Sequence, residues 1–273
     1  MAKKATLVRV DSPKRLEQAL KSSADALFHY VCRRTNALQT LKEKGLLDRI
    51  RELEFCRVSL ADERIDVLVE EPDLEHVHTL FFDTNKMKDG LRRIADSPCL
   101  TNLEHLKSTR NQLTSASLEA LSGSACGDGL ESLTIYFEKL GADELRALMS
   151  GTTWPSVTHL ELNYCQLKSD ALVELCKPDA WGSLTSLNLT TNKIDAEGLA
   201  ALVEAPFASR LTKLNLHYNR IGDDEAAILA GAPSLSNLET LILTDNSKLS
   251  PKGKEALAES EHLSEKIRKK FGA

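Results

Sequence analysis

A fixed period constrains this chain more than any other feature. Leu184 to Ile194 reads LTSLNLTTNKI, Leu211 to Ile221 reads LTKLNLHYNRI, and Val157 to Leu167 reads VTHLELNYCQL. Their first apolar residues stand 27 residues apart. Extended in both directions, the frame opens units at 50, 77, 103, 130, 157, 184, 211 and 238, with one step of 26 residues after Val77. A period of this length means stacked supersecondary units, none of which buries its apolar face alone.

Each unit has two halves. In the first, L-x-x-L-x-L sends alternating leucines to one side, as a short strand does. In the second, apolar residues three apart fit one face of a helix. These pairs are Leu199 with Leu202, Leu172 with Leu175, Leu145 with Leu148, Leu118 with Leu121, and Ile65 with Leu68. Leu91 and Ile94 arrive one residue early, which locates the deletion in the short unit. Between the halves stands Asn85, Asn111, Asn192, Asn219 or Asn246. A side-chain amide there can satisfy backbone groups left orphaned by the turn. Cys165 takes the same place, and Val58 and Glu138 depart from it. Val58 is read as the start of the array, where a ladder need not continue. A buried unpaired carboxylate is costly, so Glu138 is expected to turn outward or find a partner.

On these motifs the units resemble leucine-rich repeats, and the 27-residue period with helices such as DAEGLAALVEA is similar to the ribonuclease-inhibitor-like class. The resemblance implies an α/β solenoid: a right-handed βα horseshoe arc, parallel sheet on the concave side, helices on the convex side. It also implies a protein-binding scaffold rather than an enzyme. The expected organisation is an N-terminal helical cap over 1–49, eight repeats over 50–260 and a helical extension over 261–273. The cap reading rests on Ser12 and Pro13 as a helix start, then Leu16, Leu20, Ala24, Leu27 and Val31 on one helical face, with Leu38 and Leu41 resuming before Gly45.

The formal net charge is −5, which does not suit a nucleic-acid binder. No apolar run approaches the length of a membrane span, and MAKKATLVRVDSPKR lacks the pattern of a secretory signal. The six cysteines show no C-x-x-C spacing and read as reduced thiols in a cytoplasmic protein. The chain is expected to be a monomer. No cofactor or metal is expected. His76 and His78 have no Cys or acidic partner at ligand spacing, and no phosphate loop or hydrolase motif is present. Cys56 stands beside Arg57, a neighbour that would lower its pKa, although a lone exposed cysteine is more often incidental.

Surface chemistry follows from the frame. The central row between the leucines is Glu54, Phe81, Lys107, Thr134, Glu161, Asn188, Asn215 and Ile242. Its mixed charge does not suit a purely basic ligand. The two positions after each strand hold Cys56-Arg57, Asp83-Thr84, Thr109-Arg110, Tyr136-Phe137, Asn163-Tyr164, Thr190-Thr191, His217-Tyr218 and Thr244-Asp245. Only 5% of the chain is aromatic, yet Phe137, Tyr164 and Tyr218 share one position, with Thr191 interrupting. Aromatic rings with polar tips are common interface anchors. The expected partner-binding residues are therefore Phe81, Asp83, Arg110, Tyr136, Phe137, Glu161, Tyr164, His217 and Tyr218. The expected function is non-enzymatic protein–protein interaction through the concave face and its aromatic edge. The alternatives are a regulator of a small GTPase or other enzyme, and a secreted bacterial effector-type binding module.

Overall fold

The computed structural model of this protein describes residues 7–23, 26–34, 36–60, 65–151, 154–177 and 180–272. The chain divides into two compact units, Met1–Leu130 and Glu131–Ala273. Both alternate parallel strands with helices, and strands adjacent in sequence pair with each other.

The first unit carries β1 (Leu7–Val10), α1 (Pro13–Ser22), β2 (Leu27–Cys32), α2 (Ala37–Glu43), β3 (Ile50–Cys56), α3 (Asp66–Val69), β4 (Thr79–Asp83), α4 (Gly90–Ala95), β5 (His105–Thr109), α5 (Ser115–Ser122) and α6 (Ala125–Gly129). The second carries β6 (Ser132–Tyr136), α7 (Ala142–Leu148), β7 (His159–Asn163), α8 (Ser169–Cys176), β8 (Ser186–Asn188), α9 (Ala196–Glu204), β9 (Lys213–Asn215), α10 (Asp223–Ala230), β10 (Thr240–Ile242), α11 (Pro251–Ala258) and α12 (Glu265–Phe271).

The strand register matches the repeat frame. In the first unit Leu53 lies beside Leu80 and Leu80 beside Leu106. In the second, Leu133, Leu160, Leu187, Leu214 and Leu241 form one row. Leu187, Leu189, Leu214 and Leu216 are fully buried, as are the helix residues Leu172, Leu175, Leu199 and Leu202. Each such side chain contributes about 1.5–3 kcal/mol by leaving water. Two tryptophans one repeat apart, Trp154 and Trp181, extend this core at the helix-to-strand return. Their rings stack at 5.5 Å, and Trp154 Nε1 donates to the Leu148 carbonyl at 3.1 Å.

The segment 1–49 is not a helical cap. It contains β1 and β2, parallel to one another and to β3, so two more strand–helix units precede Ile50. Among the described residues α1, α2 and a short 3₁₀ turn at Leu47–Arg49 are helical there; Leu27 and Val31 belong to β2, and Ala24 lies outside the described residues. Leu27 and Val31 are four apart, a helical spacing. The run LFHYVC is nevertheless rich in aromatic and β-branched residues, which fit a pleated strand, and Phe28, Tyr30, Val31 and Cys32 are all buried.

The asparagines join each repeat to the one before it. Asn192 Oδ1 accepts the backbone N–H groups of Cys165 and Leu167 at 3.1 and 3.0 Å. Its Nδ2 donates to the Leu162 and Leu189 carbonyls at 2.7 and 2.9 Å. Asn246 does the same for Asn219 N, Ile221 N and the Leu216 and Leu243 carbonyls. In the first unit Asn85 Oδ1 accepts Val58 N, and Asn111 Oδ1 accepts Asn85 N. Val58 therefore receives the ladder although it carries no amide, and it does not begin the array. Cys165 substitutes with sulfur: its thiol donates to the Ile135 carbonyl at 3.3 Å and accepts the Glu138 backbone N–H. Glu138 itself is buried, not turned outward.

The last strand is covered by the C-terminal helix. Leu263 and Ile267 are buried, and Lys270 Nζ donates to the Leu241 carbonyl at 2.8 Å. The final strand–helix turn is tied back by Asp223, whose carboxylate accepts Ser250 N, Ser250 Oγ and Gly253 N. The hydroxyl and then the backbone donors hold the Asp223 carboxyl below its ordinary value.

Replacing Leu187 by Ala is expected to cost about 2–5 kcal/mol, and replacing Thr190 by Ala well under that. Asn192→Ala, which orphans buried backbone groups, is expected to cost at least about 2 kcal/mol. Urea denaturation of the three variants checks the order. An equal loss at Leu187 and Thr190 would mean the strand faces are reversed.

Candidate protein-binding surface

The turn after each strand has a fixed conformation. Arg57, Thr84 and Arg110 in the first unit, and Phe137, Tyr164, Thr191, Tyr218 and Asp245 in the second, all have φ between 52° and 59°. This left-handed region favours glycine and asparagine; other residues sit there at a cost of roughly 1–2 kcal/mol. The conformation is held by backbone bonds to the next repeat. Phe137 N donates to Asn163 O, Tyr164 N to Thr190 O, Thr191 N to His217 O and Tyr218 N to Thr244 O, at 2.8–3.1 Å. Arg57 N to Asp83 O and Thr84 N to Thr109 O repeat the pattern in the first unit.

The turn directs its side chain away from the leucine core. Phe137 and Tyr164 are each 36% exposed and Tyr218 is 59% exposed. Tyr136 and His217 are half-buried beside them. Tyr136 meets Phe137 and Tyr164 with ring centroids 4.5 and 5.2 Å apart; Phe137 and Tyr164 lie 4.4 Å apart. Tyr218 meets only the His217 ring, at 6.1 Å, among the described residues. His217 Nδ1 lies 2.8 Å from Thr244 Oγ1 and 3.3 Å from Asp245 Oδ2. Glu161 is half-buried in the central strand row and accepts from Asn163 Nδ2 at 3.2 Å.

The residues expected to bind a partner therefore fall into two groups. Tyr136, Phe137, Glu161, Tyr164, His217 and Tyr218 belong to the unit Glu131–Ala273; Phe81, Asp83 and Arg110 belong to Met1–Leu130. In that first unit Phe81 is half-buried under the Lys107 ammonium, 4.7 Å from its ring centroid. Asp83 is half-buried, and accepts from Thr84 Oγ1 at 2.9 Å and from the Cys56 thiol at 3.7 Å. Arg110 is exposed.

The Asp83 contact overturns the reading of Cys56. Burial first, and then the Asp83 carboxylate, push the thiol up rather than down. Burial likewise pushes Cys126, Cys165 and Cys176 up to about 12. All six cysteines are free. Among the described residues no cluster of three His, Cys, Asp or Glu side chains could hold a metal, and no helix is long and apolar enough to cross a membrane.

Two grooves flank Tyr218. One, of about 490 Å³, is lined by Phe137, Tyr164, Thr191, Lys193, Tyr218 and Arg220, with Gln166 and two asparagines. The other, of about 640 Å³, lies between Tyr218, Asp245, Leu249, Lys254, Lys270 and Phe271. Sequence spacing gave the ring row but neither groove, since the grooves depend on where rings are missing and on how α12 folds back.

The repeat geometry agrees with a sequence comparison: a family model described as Leucine Rich repeat matches residues 183–203 and 209–224. The repeats at 184 and 211 are therefore similar to leucine-rich repeats. No curated protein matches it. Among solved structures, a chain from the yeast Rad7 and Elc1 complex is similar at 16% identity and TM-score 0.47, over 92% of this chain and 75% of that one. An internalin (inlF) from Listeria monocytogenes is similar at 20% identity and TM-score 0.42, over 82% and 70%.

Two outcomes follow from this geometry. Tyr218→Asn places a residue that prefers the left-handed region where a tyrosine is strained, so the melting temperature is expected to hold or rise; a fall of several degrees would show that Tyr218 is a core residue. Ellman's reagent at pH 8 is expected to react within minutes with at most Cys56 and Cys99 in the folded protein, and with all six thiols in denaturant. Fast reaction of a third thiol would contradict the burial described.

Proposed function

We propose that this chain is a non-enzymatic protein-binding module, and that a partner protein seats on the aromatic edge of the unit Glu131–Ala273. One observation carries the reading: Phe137, Tyr164 and Tyr218 stand in one exposed row, each held in a left-handed turn that glycine or asparagine would occupy more cheaply. An exposed patch of large apolar groups marks an interaction site more often than it occurs by chance.

The chemistry of binding would be ring burial with retained hydrogen bonds. Phe137 and Tyr164 already pack on one another, so little side-chain freedom remains to be lost on association. The tyrosine hydroxyls can keep polar partners while the ring faces leave water. Three repeats of sheet span about 14 Å, within a standard interface of about 800 Å² per partner. Raised thiol pKa values fit a binder better than a thiol enzyme, and free cysteines suit a reducing compartment such as the cytoplasm.

Tyr164→Ala combined with Tyr218→Ala is expected to leave the melting curve nearly unchanged and to weaken partner binding by roughly 2 kcal/mol or more per ring. The partner is first isolated by affinity capture, and wild type and variant are then compared by calorimetry. Unchanged affinity with an unchanged melt would move the site off this edge.

A further inference from the structure

The ring row of the second unit has one gap, and the gap has a shape. Thr191 takes the position that Tyr164 and Tyr218 take in the repeats on either side, with the same backbone: φ is 55°, 54° and 52° in turn. Strands lie about 4.8 Å apart, so the two tyrosine positions are about 10 Å apart across Thr191. Carbon atoms in contact need about 3.5–4.0 Å. One inserted layer needs about 7–8 Å between the flanking rings and two need about 10.5–12 Å, so one planar or alkyl side chain fits the gap and two do not. Tyr164 and Tyr218 share the wall of the 490 Å³ groove in which Thr191 also lies.

Charge at the mouth of this slot is positive. Two residues past each ring position stand Lys139, Gln166, Lys193 and Arg220. Lys193 and Arg220 line the groove itself, Arg220 is exposed, and Lys193 is half-exposed. Neither is engaged in an ion pair among the described residues. No carboxylate among the described residues lines the groove: Asp195 accepts from the Ser169 hydroxyl and Glu161 from Asn163 instead. The slot thus combines an apolar cleft one side chain wide with two uncommitted cations at its rim.

We propose that the gap at Thr191 is a specificity slot for a linear acidic peptide segment, whose one large apolar side chain enters between Tyr164 and Tyr218 while neighbouring carboxylates pair with Lys193 and Arg220. This rests on the reading of the aromatic edge as the binding surface and adds the chemistry of its partner. A single-stranded nucleic acid also has rings and negative charge, but the observations favour the peptide. Phe137 and Tyr164 spend their faces on each other, 4.4 Å apart, leaving one slot rather than a run of stacking platforms. The chain's net charge of −5 opposes a strand with a charge on every nucleotide more than a peptide with a few carboxylates.

The test is a random heptapeptide library panned on the purified full chain, with a fluorescein-labelled uridine dodecamer as a separate probe. Enriched peptides are expected to carry one Phe, Trp, Tyr or Leu beside Asp or Glu. Thr191→Tyr fills the slot with a side chain the same backbone already accepts one repeat away, and it is expected to weaken a selected peptide at least tenfold at unchanged melting temperature. Lys193→Glu with Arg220→Glu, on the surface, guards against a folding defect in the first variant. It is expected to weaken the peptide tenfold or more at 50 mM salt and much less at 500 mM. Enrichment of basic or wholly polar peptides, or none, overturns the proposal, as does equal binding by Thr191→Tyr. Uridine binding that Thr191→Tyr abolishes overturns it in favour of nucleic acid. Loss of partner binding in the double tyrosine variant but not in Thr191→Tyr would leave the aromatic edge standing and remove the slot alone.

Discussion

At five turns of this molecule an asparagine side chain decides where the turn sits. An amide such as Asn192 donates to carbonyls of its own repeat and the previous one, and accepts two backbone N–H groups of the previous turn. Without it those buried groups would have no partner, at a cost of about 1–3 kcal/mol each. The bond set fixes the ends of successive strands at the same height, so every position in the repeat becomes a row. Hydrophobic burial supplies most of the stabilising free energy. It is non-directional, however, and does not by itself set register. The Cys165 thiol keeps the pattern where the amide is missing, bonding both to Ile135 and to Glu138.

Once positions are rows, surface chemistry can vary independently of the core. Leucine occupies the inward row in every strand of the second unit, while the left-handed row changes freely from Phe137 to Asp245. Aromatic residues there are strained, yet three of five positions hold them. That is the trade between stability and use expected at a binding surface. The interruption matters as much as the rings: Thr191 turns a continuous hydrophobic strip into a slot, and Lys193 and Arg220 give the slot a sign.

The period made most of the core readable beforehand. Leu187 and Leu214 could be placed because L-x-x-L-x-L fits only one strand face at 27-residue spacing. The leading 49 residues escaped because their strands repeat at shorter steps: Val10 pairs with Tyr30, and Cys32 with Phe55. In that segment Leu27 and Val31 imitate a helical face. The ring row was visible as residue types at one position. Its left-handed backbone was not, since Arg57, Phe137 and Tyr164 are not residues from which that conformation is inferred. The half-burial of Tyr136 and His217 depends on neighbouring rings and could not be read from spacing. The Cys56 thiol is not lowered as sequence adjacency to Arg57 suggests, because Asp83, one repeat later, is its neighbour in space.

The central claim is that the binding row is preformed by the backbone ladder rather than assembled by a partner. Amide hydrogen exchange of the free protein, resolved by residue, tests it most directly. Tyr164, Thr191 and Tyr218 lie on exposed turns, yet each N–H is bonded to the next repeat. Their amides are expected to exchange as slowly as those of Leu187 and Leu214 in the strands, opening only with the surrounding repeats. Exchange of the three amides at rates near those of an unstructured peptide, while the strand amides stay protected, would contradict the account.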